Sequence, residues 1–242
     1  MTTSGTNAFN LDLNDIIEEA FERCGVEVRT GYEHRTARRS LNLLTIEWAN
    51  RGINLWTIEQ GSILMEQGTA TYDLEDDTID LLDQVIRTQS GVNQTDINIS
   101  RISVSTYATI PNKNTQGRPI QVWVNRQSGQ TYPASSDYSP GAQAKPQINV
   151  WPTPDQSDFY TFVYWRLRRI QDAGTGTSTQ DIPFRMLTCL VAGLAYYLSL
   201  KIPEAANRIE MLKMAYEEQW LLASSEDREK ASLRLAPREM FY

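Results

Sequence analysis

The side chains with the reach for chemistry are few, and their spacing limits what they can do. His34 is the single histidine in 242 residues. It stands between Glu33 and Arg35 near the start of a helical pattern. A Ser-His-Asp triad needs a serine and an acid placed at the two ring nitrogens, and nothing local supplies them. A solvated helix-surface histidine is the expectation. Cys24 and Cys189 lie in separate apolar helical stretches, so each reads as a small buried hydrophobe rather than half of a disulfide. That usage suits folding in a reducing cytoplasm. One histidine and two distant cysteines are too few for a zinc-type centre. Asp73, Glu75, Asp76, Asp77 and Asp80 crowd one stretch and have the chemistry for a hard cation. They lack the alternating ligands and central glycine of an EF-hand loop, so a solvated acidic turn is expected. Glu18 with Glu19, and Glu217 with Glu218, are adjacent on helices and point apart. A glycosidase needs two carboxyls facing across a cleft. Gly174-Thr175-Gly176 lacks the lysine and following helix of a phosphate loop. Arg35, Arg38 and Arg39 have the charge to meet nucleic acid, but a solvated face or an intersubunit ion pair is the better reading. Trp123, Trp151, Tyr160, Phe162, Tyr164 and Trp165 have the makings of a sugar or base platform. In strands such residues more often form core and cross-strand pairs. No catalytic residue, metal site or cofactor is assigned.

The elements that must position these groups follow from periodicity. Residues 1–10 form a polar arm without the basic and apolar regions of a secretory signal. Helix one spans about 12–24, with Leu13, Ile16, Ile17, Ala20, Phe21 and Cys24 on one face, Asp12 as N-cap and Gly25 beyond the end. Helix two opens with the Thr30/Glu33 capping-box spacing. It carries Tyr32, Ala37, Leu41, Leu44 and Trp48 as its apolar stripe and ends at Gly52. Arg35, Arg38, Arg39 and Asn42 lie off that stripe. Beyond Leu55 the period shortens to two. Segments 55–60, 62–67 and 70–74 read as short strands split by Gly61 and Gly68. Residues 78–87 fit a helix by Ile79, Leu82 and Ile86 but a strand by β-branched content, and a strand is preferred. Residues 100–109 read as a short helix stopped before Pro111. Ile120, Val122 and Val124 mark a strand, as do Ile148 with Val150, and Thr161, Val163, Trp165 and Leu167. Residues 127–146 read as a surface loop and 174–179 as a linker. Asp181 and Pro183 open helix three, apolar nearly all round and ending near Leu200. Pro203 opens helix four, whose buried stripe is Ala205, Ile209, Leu212, Tyr216 and Trp220. Its other face carries Glu204, Arg208, Glu217 and Glu218.

Two amphipathic hairpins bury their faces best against each other. The expected fold class is α+β: a discontinuous antiparallel four-helix bundle with an inserted sandwich- or barrel-like β-rich domain and an extended C-terminal arm. The corresponding boundaries are 1–10 for the arm, 11–54 with 178–228 for the bundle, 55–177 for the β insertion and 229–242 for the docking arm. With 40% apolar and 22% charged residues, the composition is that of a folded soluble protein. A net charge of −7 argues against a surface that grips phosphates. The apolar run 186–200 is shorter than the roughly 20 residues of a membrane helix and is flanked by Arg185 and Lys201.

Several stretches carry a resemblance: Ile46-Glu47-Trp48-Ala49-Asn50-Arg51-Gly52 with Leu55-Trp56-Thr57; Tyr72-Asp73-Leu74 with Asp77-Thr78-Ile79-Asp80; Arg101-Ile102-Ser103, Tyr107, Ile110-Pro111-Asn112-Lys113 and Gly117-Arg118-Pro119; and Ile148-Asn149-Val150-Trp151-Pro152-Thr153-Pro154-Asp155. Over residues 12–228 the chain resembles the head-to-tail adaptor (connector, tail-tubular) proteins of tailed phages. The resemblance implies a structural virion protein rather than an enzyme. It would form a self-associated ring, usually of twelve copies, between the capsid portal protein and a downstream tail nozzle or hub protein. The ring would line the channel that double-stranded DNA crosses without sequence-specific binding or membrane contact. It also implies localisation in the neck of the virion after assembly in the bacterial host cytoplasm. The mixed apolar and basic terminus, with Leu233, Leu235, Arg238, Met240, Phe241 and Tyr242, is the expected portal-docking segment. Such a terminus gains order only on a partner. Arg35, Arg38 and Arg39 are the candidate intersubunit charges. Two other classes remain as alternatives: a tail-associated cell-wall-degrading enzyme using carboxylates, and a monomeric binding module with an aromatic face.

Overall fold

The structure, a computed structural model, describes residues 5, 11–28, 30–52, 55–89, 93–126 and 145–227. The expected docking arm, nearly all of the N-terminal arm and most of the 127–146 loop lie outside them. The described chain is mixed α+β, with five α-helices and two four-stranded sheets. It divides into two compact units. One comprises residues 1–56 and 170–242, the other Thr57–Arg169.

In the first unit, α1 (Leu13–Cys24) and α2 (Gly31–Arg51) form where their end signals place them. Asp12 caps α1 by accepting the Asp15 N–H at 2.9 Å. Thr30 and Glu33 close a reciprocal capping box on α2. Gly25 and Gly52 stop the helices in the left-handed conformation that glycine adopts without a Cβ penalty. Every residue expected on the inner face of α1 is buried, as are Ala37, Leu41, Leu44 and Trp48 of α2. Tyr32 departs from that stripe and is exposed. It sits in the first helical turn, ahead of the point where the α2 core begins at Ala37.

Helix α4 (Leu187–Ser199) contacts α1, α2 and α5 (Ile209–Glu226). Ten of its 13 residues are buried, as its continuous apolar sequence requires. At Gly193 a Cβ would come within 2.9 Å of Leu44 and Tyr216 side-chain atoms, so glycine permits close approach of three helices. The start of α4 differs from expectation. Pro183 precedes a 3-10 turn, Phe184–Met186, and no side chain caps it. Asp181 instead accepts the Gln171 N–H, and its carbonyl accepts Trp56 Nε1–H. Likewise Pro203 opens a 3-10 segment, Pro203–Arg208, before α5. The expected linker at 174–179 is tied down: the Gly176 and Ser178 carbonyls accept the N–H groups of Asn14 and Leu13.

In the second unit the sheets run β1-β8-β3-β4 and β2-β7-β6-β5. The strands are β1 (Ile58–Leu64), β2 (Thr71–Asp73), β3 (Thr78–Thr88), β4 (Thr95–Asn98), β5 (Ser100–Arg101), β6 (Gln121–Asn125), β7 (Gln147–Trp151) and β8 (Tyr160–Arg168). All pairs are antiparallel except β5 with β6. Ile86, Phe162 and Tyr164 of one sheet share a core with Val122, Ile148 and Val150 of the other. Gly61 does not split the first strand. It pairs with Tyr164, and a Cβ there would overlap the tyrosine ring. The register of β3 on β8 shifts twice, between Thr78 and Asp80 and between Leu81 and Asp83. The Asp80 and Asp83 carboxylates accept the next residue's N–H at these irregularities. The two shifts break the strict alternation, so that Leu81 and Ile86 are buried but Leu82 is exposed. The expected helix at 100–109 is shorter, α3 (Val104–Ala108), because Ser100 and Arg101 pair with β6 and Ser103 caps the turn. Ile120 lies just ahead of β6 and is exposed, while Val122 and Val124 are buried.

Candidate functional site

The three arginines proposed as intersubunit charges separate by role. Arg38 donates to the Gly174 carbonyl at 3.4 Å, beside an Ala173 N–H donated to Asn42 Oδ1 at 2.8 Å. It therefore helps hold the 173–176 stretch on α2. Arg35 and Arg39 face solvent, with Arg39 donating to Thr36 Oγ1 of its own helix. His34 is half-buried in a groove of about 620 Å³ shared with Arg35, Arg38 and Thr175. The segment carrying Leu233, Leu235, Arg238, Met240, Phe241 and Tyr242 lies outside the described residues, which stop at Asp227. Asp227 itself is anchored. Its carboxylate accepts Arg185 at 2.6 Å and the Leu55 N–H at 3.3 Å.

The helical unit also presents apolar side chains outward. On α2, Leu43 and Ile46 are 54% and 57% exposed. On α5, Met211, Met214, Leu221 and Leu222 are 58–73% exposed, opposite the buried Leu212, Tyr216, Trp220 and Ala223. The sequence reading gave the outer face of α5 to charged residues and missed these four. Their spacing is the signal that would have found them, since a helix with two apolar stripes at i, i+3 and i+4 has one to spare.

Beneath this surface, α2, α4 and α5 are joined by one polar network. Trp48 Nε1–H donates to Tyr216 Oη at 3.0 Å. Tyr197 Oη–H donates to Glu47 Oε2 at 2.6 Å. Arg51 reaches Glu47 at 2.5 Å and Glu217 at 3.1 Å, and lies 4.6 Å from the Trp220 ring centroid. The hydrogen bond from Arg51 holds the Glu217 carboxyl below the ordinary carboxylate range. Burial, aided by the hydrogen bond to Glu47, pushes Tyr197 up to about 12. Burial also pushes the thiols up, Cys24 to about 11 and Cys189 to about 12. Both therefore stay protonated and unreactive at neutral pH. The network ties α2, α4 and α5 together, with Glu217 and Arg51 at its partly exposed edge.

The acidic stretch of the β unit is also engaged rather than merely solvated. Arg166, only 10% exposed at its side chain, meets Glu59 at 2.9 Å, Glu75 at 3.8 Å and Asp77. Tyr164 Oη–H donates to Glu75 at 2.8 Å. Asp80 receives Arg101 at 2.7 Å and Arg126 at 3.1 Å, Asp76 pairs with Lys145, and Asp73 accepts Gln147 Nε2–H. Each carboxylate of this stretch thus faces a donor, rather than being merely solvated as expected. Arg166 was not singled out by sequence; its position on an alternating strand hid it. Of the aromatic set, Tyr160, Phe162 and Tyr164 are core residues. Trp123 stacks on Tyr107 with centroids 5.3 Å apart, and Trp151 Nε1–H donates to the Asn112 carbonyl. Trp123 lies opposite Asn149, so Trp123 and Trp151 share the face of the second sheet turned away from that core.

Among the described residues no group of three or more His, Cys, Asp or Glu side chains is placed to hold a metal ion. No described helix is long and apolar enough to cross a membrane. Compared with known proteins, the chain matches no family model, and no curated protein matches it.

Proposed function

We propose that this chain is a structural ring protein at a head-to-tail junction of a tailed phage. In this reading α1, α2, α4 and α5 act as a discontinuous antiparallel four-helix bundle, and the β unit inserted between α2 and α4 is a sandwich-like module. The bundle packs beside copies of itself in a ring, usually twelve-fold, below the portal. The β unit faces the nozzle or hub, and residues 229–242 dock on the portal. DNA passes through the ring, and the net charge of −7 limits phosphate contacts along its path.

The observation that carries the reading is the pair of outward apolar faces on α2 and α5, on helices whose other faces already share one buried core among the described residues. Exposed side chains gathered in stripes mark association surfaces. The carboxylates of the acidic stretch are ion-paired or hydrogen-bonded, and Tyr160, Phe162 and Tyr164 are buried in the core, which weighs against the muralytic and binding-module alternatives. The test is mass photometry of the chain with and without its cognate portal, beside a cell-wall lysis assay. A discrete ring-sized species that co-purifies with portal supports the proposal. A chain that stays monomeric in both conditions, or that lyses cell wall and loses this on carboxylate-to-amide substitution, overturns it.

A further inference from the structure

The two outward faces are chemically opposite. On α2, Tyr32, Arg35, Arg39, Leu43 and Ile46 recur three or four residues apart and are all exposed, so they share one side of the helix. The charges within that stripe are basic. On α5, Met211, Met214, Glu218, Leu221 and Leu222 follow the same spacing and are likewise exposed. The charge within that stripe is acidic. Arg39 sits at the middle of the first stripe, and Glu218 within about two residues of the middle of the second. The stripes have similar length, so either a parallel or an antiparallel alignment of the two helices brings Arg39 close to Glu218.

Self-pairing of either face is disfavoured by the same placement. A two-fold contact of α5 with α5 sets Glu218 against Glu218, and one of α2 with α2 sets Arg39 against Arg39. Like charges meeting at the centre of an apolar contact oppose association, and opposite charges favour it. We infer that the outer face of α2 in one copy seats on the outer face of α5 in a second copy, with Leu43 and Ile46 packed among the α5 methionines and leucines and Arg39 paired with Glu218. Each copy then carries one donor face and one acceptor face. Such a contact is head-to-tail and propagates into a closed ring when the rotation between copies closes. The inference rests on the ring reading above and assigns it a specific pair of surfaces.

The test is a face-blocking mixture, read by mass photometry for the full chain alone and on its cognate portal. Leu43→Asp removes the α2 face and leaves α5 intact; Met214→Asp does the converse. Both positions are solvent-exposed, and circular dichroism with thermal melting checks that each variant folds. Each variant alone is expected to stay monomeric. The equimolar mixture is expected to give one-to-one dimers and nothing larger, because each dimer ends in two blocked faces. Arg39→Glu and Glu218→Arg are each expected to weaken assembly at least about tenfold, with the double variant restoring it. Rings that ignore both aspartate substitutions overturn this pairing and leave the ring reading standing. A wild-type chain that remains monomeric alone and on portal overturns both. Assembly of a single blocked variant overturns the head-to-tail arrangement, as does a double charge variant no better than the singles.

Discussion

Tyr216 sits at the meeting point of three helices, and its hydroxyl accepts the buried Trp48 Nε1–H. Tyr216→Phe keeps the ring and orphans that indole. Leaving a buried donor unsatisfied costs about 1–3 kcal/mol, so a loss of that size is expected in chemical denaturation, while an unchanged midpoint would contradict the role given to the phenol. The Arg51–Glu217 pair makes a pH-dependent contribution whose sign is fixed. The folded state holds the Glu217 carboxyl below its ordinary value. Its stabilisation is therefore complete above the unfolded pKa of about 4.3 and fades as pH falls through the lower folded value. Wild type should exceed Glu217→Gln in stability at neutral pH, with the gap closing under acid. A gap that widens on acidification would reverse the assignment.

At the scale of elements, sequence and structure agree at the helix ends fixed by a local capping contact or a left-handed glycine. Thr30 and Glu33 announce the start of α2 because both partners of the capping box lie within one turn. The same holds for Asp12, Gly25 and Gly52. Agreement fails where a partner distant in sequence decides. Gly61 reads as a break, yet it continues β1 because the Tyr164 ring of β8 occupies the space where a Cβ would be. The two register shifts of β3 are settled by pairing with β8, and they bury Leu81 while leaving Leu82, part of the helix-like apolar spacing, exposed. Gly61→Ala is expected to cost about 1–3 kcal/mol by overpacking against that ring, measurable as a lowered denaturation midpoint with helical content retained. A neutral substitution would show that the tyrosine has room to move. The site was legible in part for the same reason. A run of three arginines is visible in any window of α2, but the separation of Arg38 from Arg35 and Arg39 depends on the Gly174 carbonyl, 136 residues away. The outer stripe of α5 was legible in principle and was masked by the stronger inner stripe of Leu212, Tyr216 and Trp220.

For the whole molecule, the topology explains how a β unit is accommodated inside a helical sequence. β1 and β8 are the first and last strands of the unit and pair antiparallel, with Ile58 opposite Leu167. The chain therefore enters and leaves this unit at neighbouring points. The helical sequence on either side keeps one continuous core built from α1, α2, α4 and α5. What this leaves outside is the pair of opposite-charge apolar faces on which the proposed joining of copies rests. Cryo-electron microscopy of the chain assembled on its cognate portal tests that account most directly. A ring below the portal, with α2 of each subunit lying along α5 of the next and residues 229–242 traced onto the portal, is the predicted result. Density for isolated monomers, with no ring on the portal, would contradict it.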